Sequence, residues 1–459
     1  MRKAPPWLLT AISVLLVLVI AICLLPVLID PNNYKTQIAA LIKDKTNRAV
    51  AFEGDIKVSV FPWIGISTEK IKIGNQPGLD GLSFIAVAKS NIKVELLPLL
   101  ARKIEINAIV LDGLAINLVK DKQGVGNWGD LVAADPVSQS HAKLDDEYSI
   151  RQSKLATLAV NGIVIQNAQL NWNNQQTGEQ WALKNIQLNV DNLRVAGPVK
   201  IDMTADIAGD AIKFPGTVKF ATSLRVDESL ESIAFNDSQI EWVGLQKMAS
   251  GQSFTATINA SDTEVNFAQQ VLNTSNLKLQ YGDIKLTADM SAEHIIDKLS
   301  IQGSLVIPEC NLRETFKQWE IALPSMSDAK ALSHFAMSSH FQANNNGVQF
   351  TNLGFVVDNS HGKGFVAMND FSRPGFLFDL TVDTFDVDRY LPDQDKPTEA
   401  NARMAPMGAF SVPLDGLREL DAEGKLVIGN MTFNKMTMQD MRLTLIAKKG
   451  GISMEQAPN

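Results

Sequence analysis

The sequence contains few of the residues that build reactive or metal-binding sites. Two cysteines and five histidines occur among 459 residues. Cys23 and Cys310 lie far apart in the chain, so a disulfide between them is not expected. The sequence also has no GxSxG motif, no Walker motif and no clustered metal ligands. These absences favour a protein that is not an enzyme and that needs no cofactor.

Two stretches come closest to a metal site, and neither has the required spacing. His334 and His340 lie six residues apart in "SHFAMSSHFQ", which is not the HExxH pattern. The acidic stretch "VDTFDVDRYLPDQD" lacks the central glycine and the terminal glutamate of a calcium loop. We expect Asp383 to lie on the solvent side of a strand and Asp388 to cap a helix or turn. The other acidic residues of the stretch are Asp386, Asp393 and Asp395.

The sequence also has no excess of positive charge. The net charge is -8, the isoelectric point is about 5.3, and no run of lysine or arginine occurs. Binding to nucleic acid is therefore not expected. The 45% apolar and 20% charged content is typical of a folded protein.

The longest apolar run lies at the N-terminus. The 23 residues from Trp7 to Ile29 include only Thr10 and Ser13 as polar members. As a helix they would measure about 35 Å, enough to cross a bilayer core. Arg2 and Lys3 precede the run, which predicts a cytoplasmic N-terminus and a single membrane pass. A cleaved signal peptide is one alternative, but no small-residue cleavage site follows the apolar run. A lipoprotein site at Cys23 is another, but the bulky Ile22 stands where a small residue would be expected.

A short helix is expected directly after this run. Asp30 can cap a helix that Pro31 opens, and Asn47 is a plausible end. The apolar face of this helix could lie on a membrane or close the end of a sheet, and the pattern favours the second. The residues on that face are Tyr34, Ile38, Leu41 and Ile42.

Most of the remaining chain alternates between apolar and polar residues, as a strand does. Ile56, Val58 and Val60 point to one face and their neighbours to the other. The first strands are expected at 49–61, 64–74, 83–97 and 103–119. The pattern predicts about twenty strands and about three short helices. Two of these helices are expected in "NLRETFKQWEI", where Leu312, Phe316 and Trp319 share a face, and in "TEVNFAQQVLN" at 263–273. Such strands can close into sandwiches or barrels, or form an elongated curled sheet with an open apolar face.

Two dipeptides indicate bends within strands. Asp112-Gly113 separates two alternating runs, and Asn161-Gly162 has the same place in a similar sequence further on. These two segments form a weak internal repeat. Residues 130–153 lose the alternation, are polar, and are interpreted as a linker or loop.

Several motifs occur in a fixed order along the chain: "DPNNYK", "EGDIKVSVFPWIGI", "IGNQPG", "VELLPLLARKIEINAIVLDG", "GVGNWGDL", "VIPECNLRETF" and "FDVDRYLP". In this order they resemble the AsmA family of bacterial envelope proteins, and the likeness extends over essentially the whole chain. Two differences occur. Asn47 stands where the family usually has glycine, and the chain ends as a further strand begins, as either a natural short form or a truncated one.

The resemblance implies an inner-membrane protein of Gram-negative bacteria with a large periplasmic β-rich part and a role in outer-membrane biogenesis. TamB-like relatives are similar to chorein-type proteins, in which a curled sheet forms a hydrophobic groove that carries lipid between membranes. By this resemblance the chain is expected to form an elongated curled antiparallel sheet and to bind and conduct phospholipid along its groove between the inner and outer membranes. The expected partners are the inner membrane, phospholipid or lipopolysaccharide, and an outer-membrane or periplasmic protein. The alternative function is a scaffold or regulator of outer-membrane protein assembly or lipopolysaccharide levels that carries no lipid.

These expectations divide the chain into four parts: a cytoplasmic tip and anchor at 1–29, a β domain with its helix at 30–129, the linker at 130–153, and an extended β region at 154–459. Groove-lining residues are expected among the apolar positions of the strands, where packing in a closed core is the alternative for each. The candidates are Ile56, Val58, Val60, Ile71, Ile73, Ile92, Val94, Ile104, Ile106, Ile163, Ile165, Leu183, Ile201 and Met203.

Overall fold

The computed structural model describes most of the chain after residue 29. The expected anchor, the expected linker and Ile104 lie outside the described residues. Among the described residues, no helix is long and apolar enough to cross a membrane. The described residues are 30–60, 63–76, 79, 81–100, 105–129, 159–194, 197–209, 212, 215–245, 253–296, 298–319, 321–371, 375–392, 421–448 and 451–456.

The chain divides into two compact units. The first unit contains residues 1–233 and 239–253, and the second contains residues 234–238 and 254–459. The described residues form 21 strands, in line with the expected number, and few helices. The protein is therefore mainly β.

The first unit contains nine strands and most of a tenth, with a helix near its beginning. A turn of 3-10 helix, Pro31–Tyr34, leads into the α-helix Lys35–Thr46, and a second short helix covers Leu96–Leu100. The strands are β1 Val50–Phe52, β2 Ile56–Ser59, β3 Ile64–Ile73, β4 Ile85–Val94, β5 Glu105–Lys120, β6 Ala159–Asn174, β7 Glu179–Leu193, β8 Pro198–Ala208, β9 Gly216–Val226 and β10 Ser232–Leu245.

The second unit continues with eleven strands and one short α-helix. The helix Leu312–Gln318 begins at Asn311, whose side chain accepts a hydrogen bond from the Glu314 backbone, and a turn of 3-10 helix covers Val387–Tyr390. The strands are β11 Ser253–Asn266, β12 Val271–Tyr281, β13 Ile284–Glu293, β14 Ser300–Cys310, β15 Phe335–Asn344, β16 Val348–Val357, β17 Ser360–Met368, β18 Gly375–Asp386, β19 Asp421–Phe433, β20 Met436–Lys448 and β21 Gly451–Gln456.

The expectation of a purely antiparallel sheet is wrong, because each unit contains one parallel pair. β5 pairs with β6 in parallel, and β18 pairs with β19 in parallel. Parallel neighbours need a long connection that brings the chain back to the same end of the sheet. The connections 121–158 and 387–420 are of that length. Alternation does not reveal strand direction, so the sequence pattern could not show these two pairs.

The described pairings leave the sheet open in the first unit. Both β1 and β2 pair with β3, so these two short strands form one edge. The sheet then proceeds from β3 through β9, each strand paired with the next. Among the described pairings, none joins β1 or β2 to a strand after β3, so the sheet is not closed. The closed sandwich or barrel is therefore not what the structure shows.

Irregular residues with positive φ interrupt four strands of the first unit. They are Lys70 in β3, Gly113 in β5, Asn167 in β6 and Asn185 in β7, with φ between 51° and 64°. The Asn167 Nδ2 donates to the Asp112 Oδ1 at 2.8 Å, so the irregular positions of β5 and β6 lie side by side. The pairings shift register beside Asn167 and Asn185, as at β-bulges, whereas β3, β4 and β5 stay in register around Lys70 and Gly113. Bulges bend strands and increase twist.

The irregular positions can be compared with the two expected bends. Gly113, with a positive φ, interrupts β5 at the expected bend between its two alternating runs. In β6 the irregularity lies at Asn167 rather than at Asn161-Gly162, because Gly162 pairs regularly with Asp191. Asparagine tolerates the left-handed conformation, so no glycine was needed to mark the bulge.

Two expected helices have different outcomes. The helix Leu312–Gln318 is present, and Phe316 contacts Trp319 edge to face with ring centroids 6.2 Å apart. A second helix expected at 263–273 is absent, because these residues end β11, turn at 267–270 and begin β12. The apolar residues Val265 and Leu272 are partners across this hairpin, which explains a spacing that looks helical.

Candidate functional site

A row of aliphatic side chains crosses six strands of the first unit. Residues directly opposite each other in a sheet project to the same face. Following the pairings strand by strand, the row contains one apolar residue from each of β3 to β8. In order, these residues are Ile66, Ile92, Ile109, Ile163, Val190 and Ile201.

Two further apolar rows run beside the first. One lies two residues along each strand and contains Leu111, Ile165, Leu188, Met203 and Phe220. The other lies on the far side of the irregular positions Lys70, Gly113, Asn167 and Asn185. It contains Ile73, Ile85, Ile116, Leu170, Leu183 and Ile207. We call these three rows the apolar face of the first unit.

The members of the apolar face are only partly covered. Ile66 is 39% exposed. Every other member is half-buried. Among the described elements of this unit, the extensive strand contacts join hydrogen-bonded neighbours, and no second sheet packs across the face. Aliphatic side chains of a closed core would be fully buried. The described residues therefore cover the apolar face only in part.

The structure brings most of the expected groove residues into this face. Ile71 pairs with Val87 next to the rows, and Val94 pairs with Ile106 at their end. Val58 pairs with Ile66, which extends the first row to β2. Of the thirteen expected residues within the described part, Ile56 is buried, at 6% exposure, and the other twelve are half-buried.

The sequence analysis missed members of the same face that carry the same signal. Ile85, Leu111, Leu170, Leu188 and Val190 belong to the rows and lie in strands that the pattern identified. Their alternation was visible, but the bulges shift the period by one residue within a strand. Counting every second residue across a bulge therefore assigns the wrong face.

Three tryptophans end the apolar face on one side. Trp172 and Trp181 are partners on β6 and β7 with ring centroids 5.9 Å apart, and Trp128 lies 5.4 Å from Trp172. Leu118 pairs with Trp172 on the same face. The three indole rings therefore lie together beside the C-terminal part of β6 and the N-terminal part of β7.

A buried polar cluster holds the same end of the sheet together. The side chain of Asn127, which is 0% exposed, accepts from the Val119 N–H at 3.0 Å and donates to the Asn117 carbonyl at 2.8 Å. Arg48, 2% exposed, donates to the Asn127 carbonyl at 2.7 Å and lies 4.1 Å from the centre of the Phe84 ring. The "GVGNWGDL" motif thus has a structural role.

The second unit has its own apolar row, which is rich in aromatic side chains. Phe341, Phe350, Val366 and Phe378 are successive partners on β15 to β18. Phe378 faces Gly424 on β19, where an added Cβ would collide with the Phe378 backbone and ring. Glycine is therefore needed to let the two strands approach.

A buried carboxylate organises the "FDVDRYLP" segment of the second unit. Asp358, whose side chain is 1% exposed, accepts from the Leu332 N–H at 2.9 Å and from the Tyr390 hydroxyl at 2.7 Å. Burial acts to raise the pKa of Asp358, but these hydrogen bonds outweigh it and lower that pKa. Burial and the bond to Asp358 raise the pKa of Tyr390. Arg389 bonds to Asp328 at 2.8 Å beside them.

The histidines and acidic residues singled out in the sequence do not form a metal site within the described residues. His334 Nδ1 lies 2.5 Å from Glu309, and His340 lies on an exposed strand position. Asp383 is exposed, as expected, and Asp388 accepts from the Asn434 and Lys435 backbones, so it caps a turn. His141, Asp393 and Asp395 lie outside the described residues.

Comparison with known proteins gives one positive finding. The family described as the AsmA family matches residues 1–458, which is essentially the whole chain. Neither the search of curated proteins nor the search of solved structures returns a match.

Proposed function

The chain belongs to the AsmA family, and we propose that it binds phospholipid acyl chains along its apolar face as an inner-membrane-anchored, periplasmic protein of outer-membrane biogenesis. The observation that carries this proposal is the continuous aliphatic row from Ile66 to Ile201, whose members remain half-buried or exposed. In this proposal the irregular positions of β3, β5, β6 and β7 curl the open sheet into a groove around the lipid.

The dimensions of the row suit an acyl chain. Neighbouring strands are separated by about 4.8 Å, so a row across six strands measures about 24 Å. One leaflet of a bilayer core is about 15 Å thick. The row is therefore longer than an acyl chain that spans one leaflet, and such a chain can lie on the row from end to end.

The chemistry of the face suits acyl chains as well. The rows consist of Ile, Leu, Val, Met and Phe, without a charged member, and each methylene moved from water onto such a surface contributes about 0.8 kcal/mol. No particular side chain is needed to recognise the tail, so mutation of one row member should weaken binding only partly. The proposal includes no catalytic step and no cofactor.

The test is photo-crosslinking in intact cells. A benzophenone amino acid is placed at Ile201, a member of the first row, or at Lys200, the exposed neighbour on the other face of the same strand. Cells are grown with radioactive phosphate and irradiated, and the purified full-length chain is examined for label. We expect phospholipid adducts at Ile201 and little label at Lys200.

Equal labelling of the two positions, or labelling of neither, would contradict lipid binding on this face. In that case the chain would fit the alternative, a scaffold or regulator of outer-membrane protein assembly that carries no lipid. Native mass spectrometry of the purified chain gives an independent readout. Phospholipid or lipopolysaccharide that co-purifies with the folded protein would identify the lipid class.

A further inference from the structure

The helix Lys35–Thr46, together with Tyr34 at its N-cap, presents an apolar stripe to solvent. Tyr34, Ile38 and Leu41 are 47%, 37% and 66% exposed. Spacings of four and three residues place them on one side of the helix. Such a contiguous apolar surface is typical of an interaction site. The sequence pattern favoured the closing of the sheet by the face that contains Tyr34, Ile38, Leu41 and Ile42. Only Ile42 of these is half-buried, and the other three are exposed.

A different side of the helix contacts the sheet. Lys35, Ala39 and Ile42 are half-buried, and the helix packs against β1. Lys35 Nζ lies 3.5 Å from the Asp55 carboxylate, just before β2. These contacts fix the rotation of the helix, so the apolar stripe is held away from the sheet.

The residues around the stripe indicate what covers it. The apolar run from Trp7 to Ile29 ends five residues before Tyr34, so an anchor formed by that run would leave the helix at the bilayer surface. Between Lys35 and Asn47 the sequence has three lysines and one aspartate, a net positive charge that suits phosphate headgroups.

We propose that Tyr34, Ile38 and Leu41 insert into the headgroup region of the membrane that holds the anchor. This inference rests on the membrane anchoring in the proposed function. It also predicts where lipid enters the apolar face. The side chain of Asn32, just before this helix, is hydrogen-bonded to the backbone of Ile56 on β2. The edge of the sheet where the apolar face begins is thereby held close to the lipid surface.

The experiment uses the full-length chain in vesicles of phosphatidylethanolamine with a minor share of phosphatidylglycerol. In a background with Cys23→Ser and Cys310→Ala, an environment-sensitive fluorophore is attached at Leu41→Cys. The matched control is Thr36→Cys, an exposed position on another side of the same helix. Circular dichroism and thermal unfolding check that both labelled proteins are folded.

We expect a blue-shifted emission at Leu41→Cys and loss of most of the fluorescence when the lipids carry bromine on their acyl chains. At Thr36→Cys both effects should be small. Emission from Leu41→Cys that matches fluorophore in water would overturn the inference. A blue shift without quenching by brominated lipid would also overturn it, because a protein surface would then cover the stripe.

This outcome can be separated from failure of the proposed function. If the chain does not float with the vesicles, membrane anchoring itself fails. If it floats and the crosslinks at Ile201 are found, but Leu41→Cys stays in water, the inference about the helix alone is wrong. If the crosslinks are absent and Leu41→Cys is quenched, the helix contacts the membrane while the apolar face carries no lipid.

Discussion

The carboxamide of Asn32 forms two hydrogen bonds with the backbone of Ile56. Its Oδ1 accepts from the Ile56 N–H at 2.9 Å, and its Nδ2 donates to the Ile56 carbonyl at 3.2 Å. The side chain thus occupies the place of a neighbouring strand at the edge of β2. Exposed strand edges favour unwanted pairing, and one side chain here covers part of that edge.

The first prediction concerns this contact. Asn32→Ala removes both hydrogen bonds and should raise hydrogen exchange at the Ile56 amide, with a stability loss of about 1–3 kcal/mol. Hydrogen exchange detected by mass spectrometry on peptides that cover β2 measures the effect. Asn33→Ala, an exposed neighbour, is the control and should change little. Unchanged exchange in Asn32→Ala would show that the contact contributes nothing to the edge.

The second prediction tests whether the apolar face is open. Val58→Asp puts a carboxylate on the face, where the half-buried side chain keeps access to water, so the protein should stay folded but retain less lipid. Lys57→Asp, on the opposite and exposed face of β2, should fold equally well and keep its lipid. Circular dichroism and lipid extraction from the purified full-length variants measure both properties. Unfolding of Val58→Asp would indicate a closed core.

The third prediction concerns the buried polar cluster. Asn127→Ala leaves the Val119 N–H and the Asn117 carbonyl without their side-chain partner, so the first unit should lose about 2–4 kcal/mol. Thermal unfolding of the full chain measures this loss. Gln123→Ala, at an exposed turn position of the same loop, should have an effect below about 0.5 kcal/mol. Similar stability of the two variants would contradict a structural role of Asn127.

The fourth prediction concerns pH. The pKa of Asp358 is lowered in the folded chain. A lowered pKa in the folded state means that the carboxylate stabilises the protein above its unfolded pKa of about 3.9. This stabilisation should be lost as the pH falls from about 4 through the folded pKa.

Denaturant unfolding between pH 7 and pH 3 measures this dependence. Asp358→Asn should reduce stability at pH 7 and weaken the loss on acidification, while Tyr390→Phe removes one hydrogen bond and should have an intermediate effect. An acid transition in Asp358→Asn as large as in the unchanged chain would mean that other carboxylates account for it. Asp328, whose pKa is also lowered, by hydrogen bonds from the Lys330 backbone and from Arg389, would be examined next.

Particular residues show how far sequence reasoning could go. Alternation identified most strands, and the expected caps were found at Asp30 and at Asp388. Asn47 ends the first helix in the left-handed conformation, as expected. The irregular position in β6 was placed at Gly162 instead of Asn167, because asparagine in that conformation has no distinctive neighbours in the sequence. The buried roles of Arg48 and Asn127 had no local signal, since their partners are far away in the chain.

The sequence by itself determined that this protein is mainly β and which residues of each regular strand segment share a side, because alternation depends only on the geometry of one strand. The tertiary structure decided which strands are neighbours, which pairs are parallel, and that Ile66, Ile109 and Ile201 form one uncovered row. These properties depend on pairing between residues far apart and on what packs over a face. A local pattern contains neither kind of information.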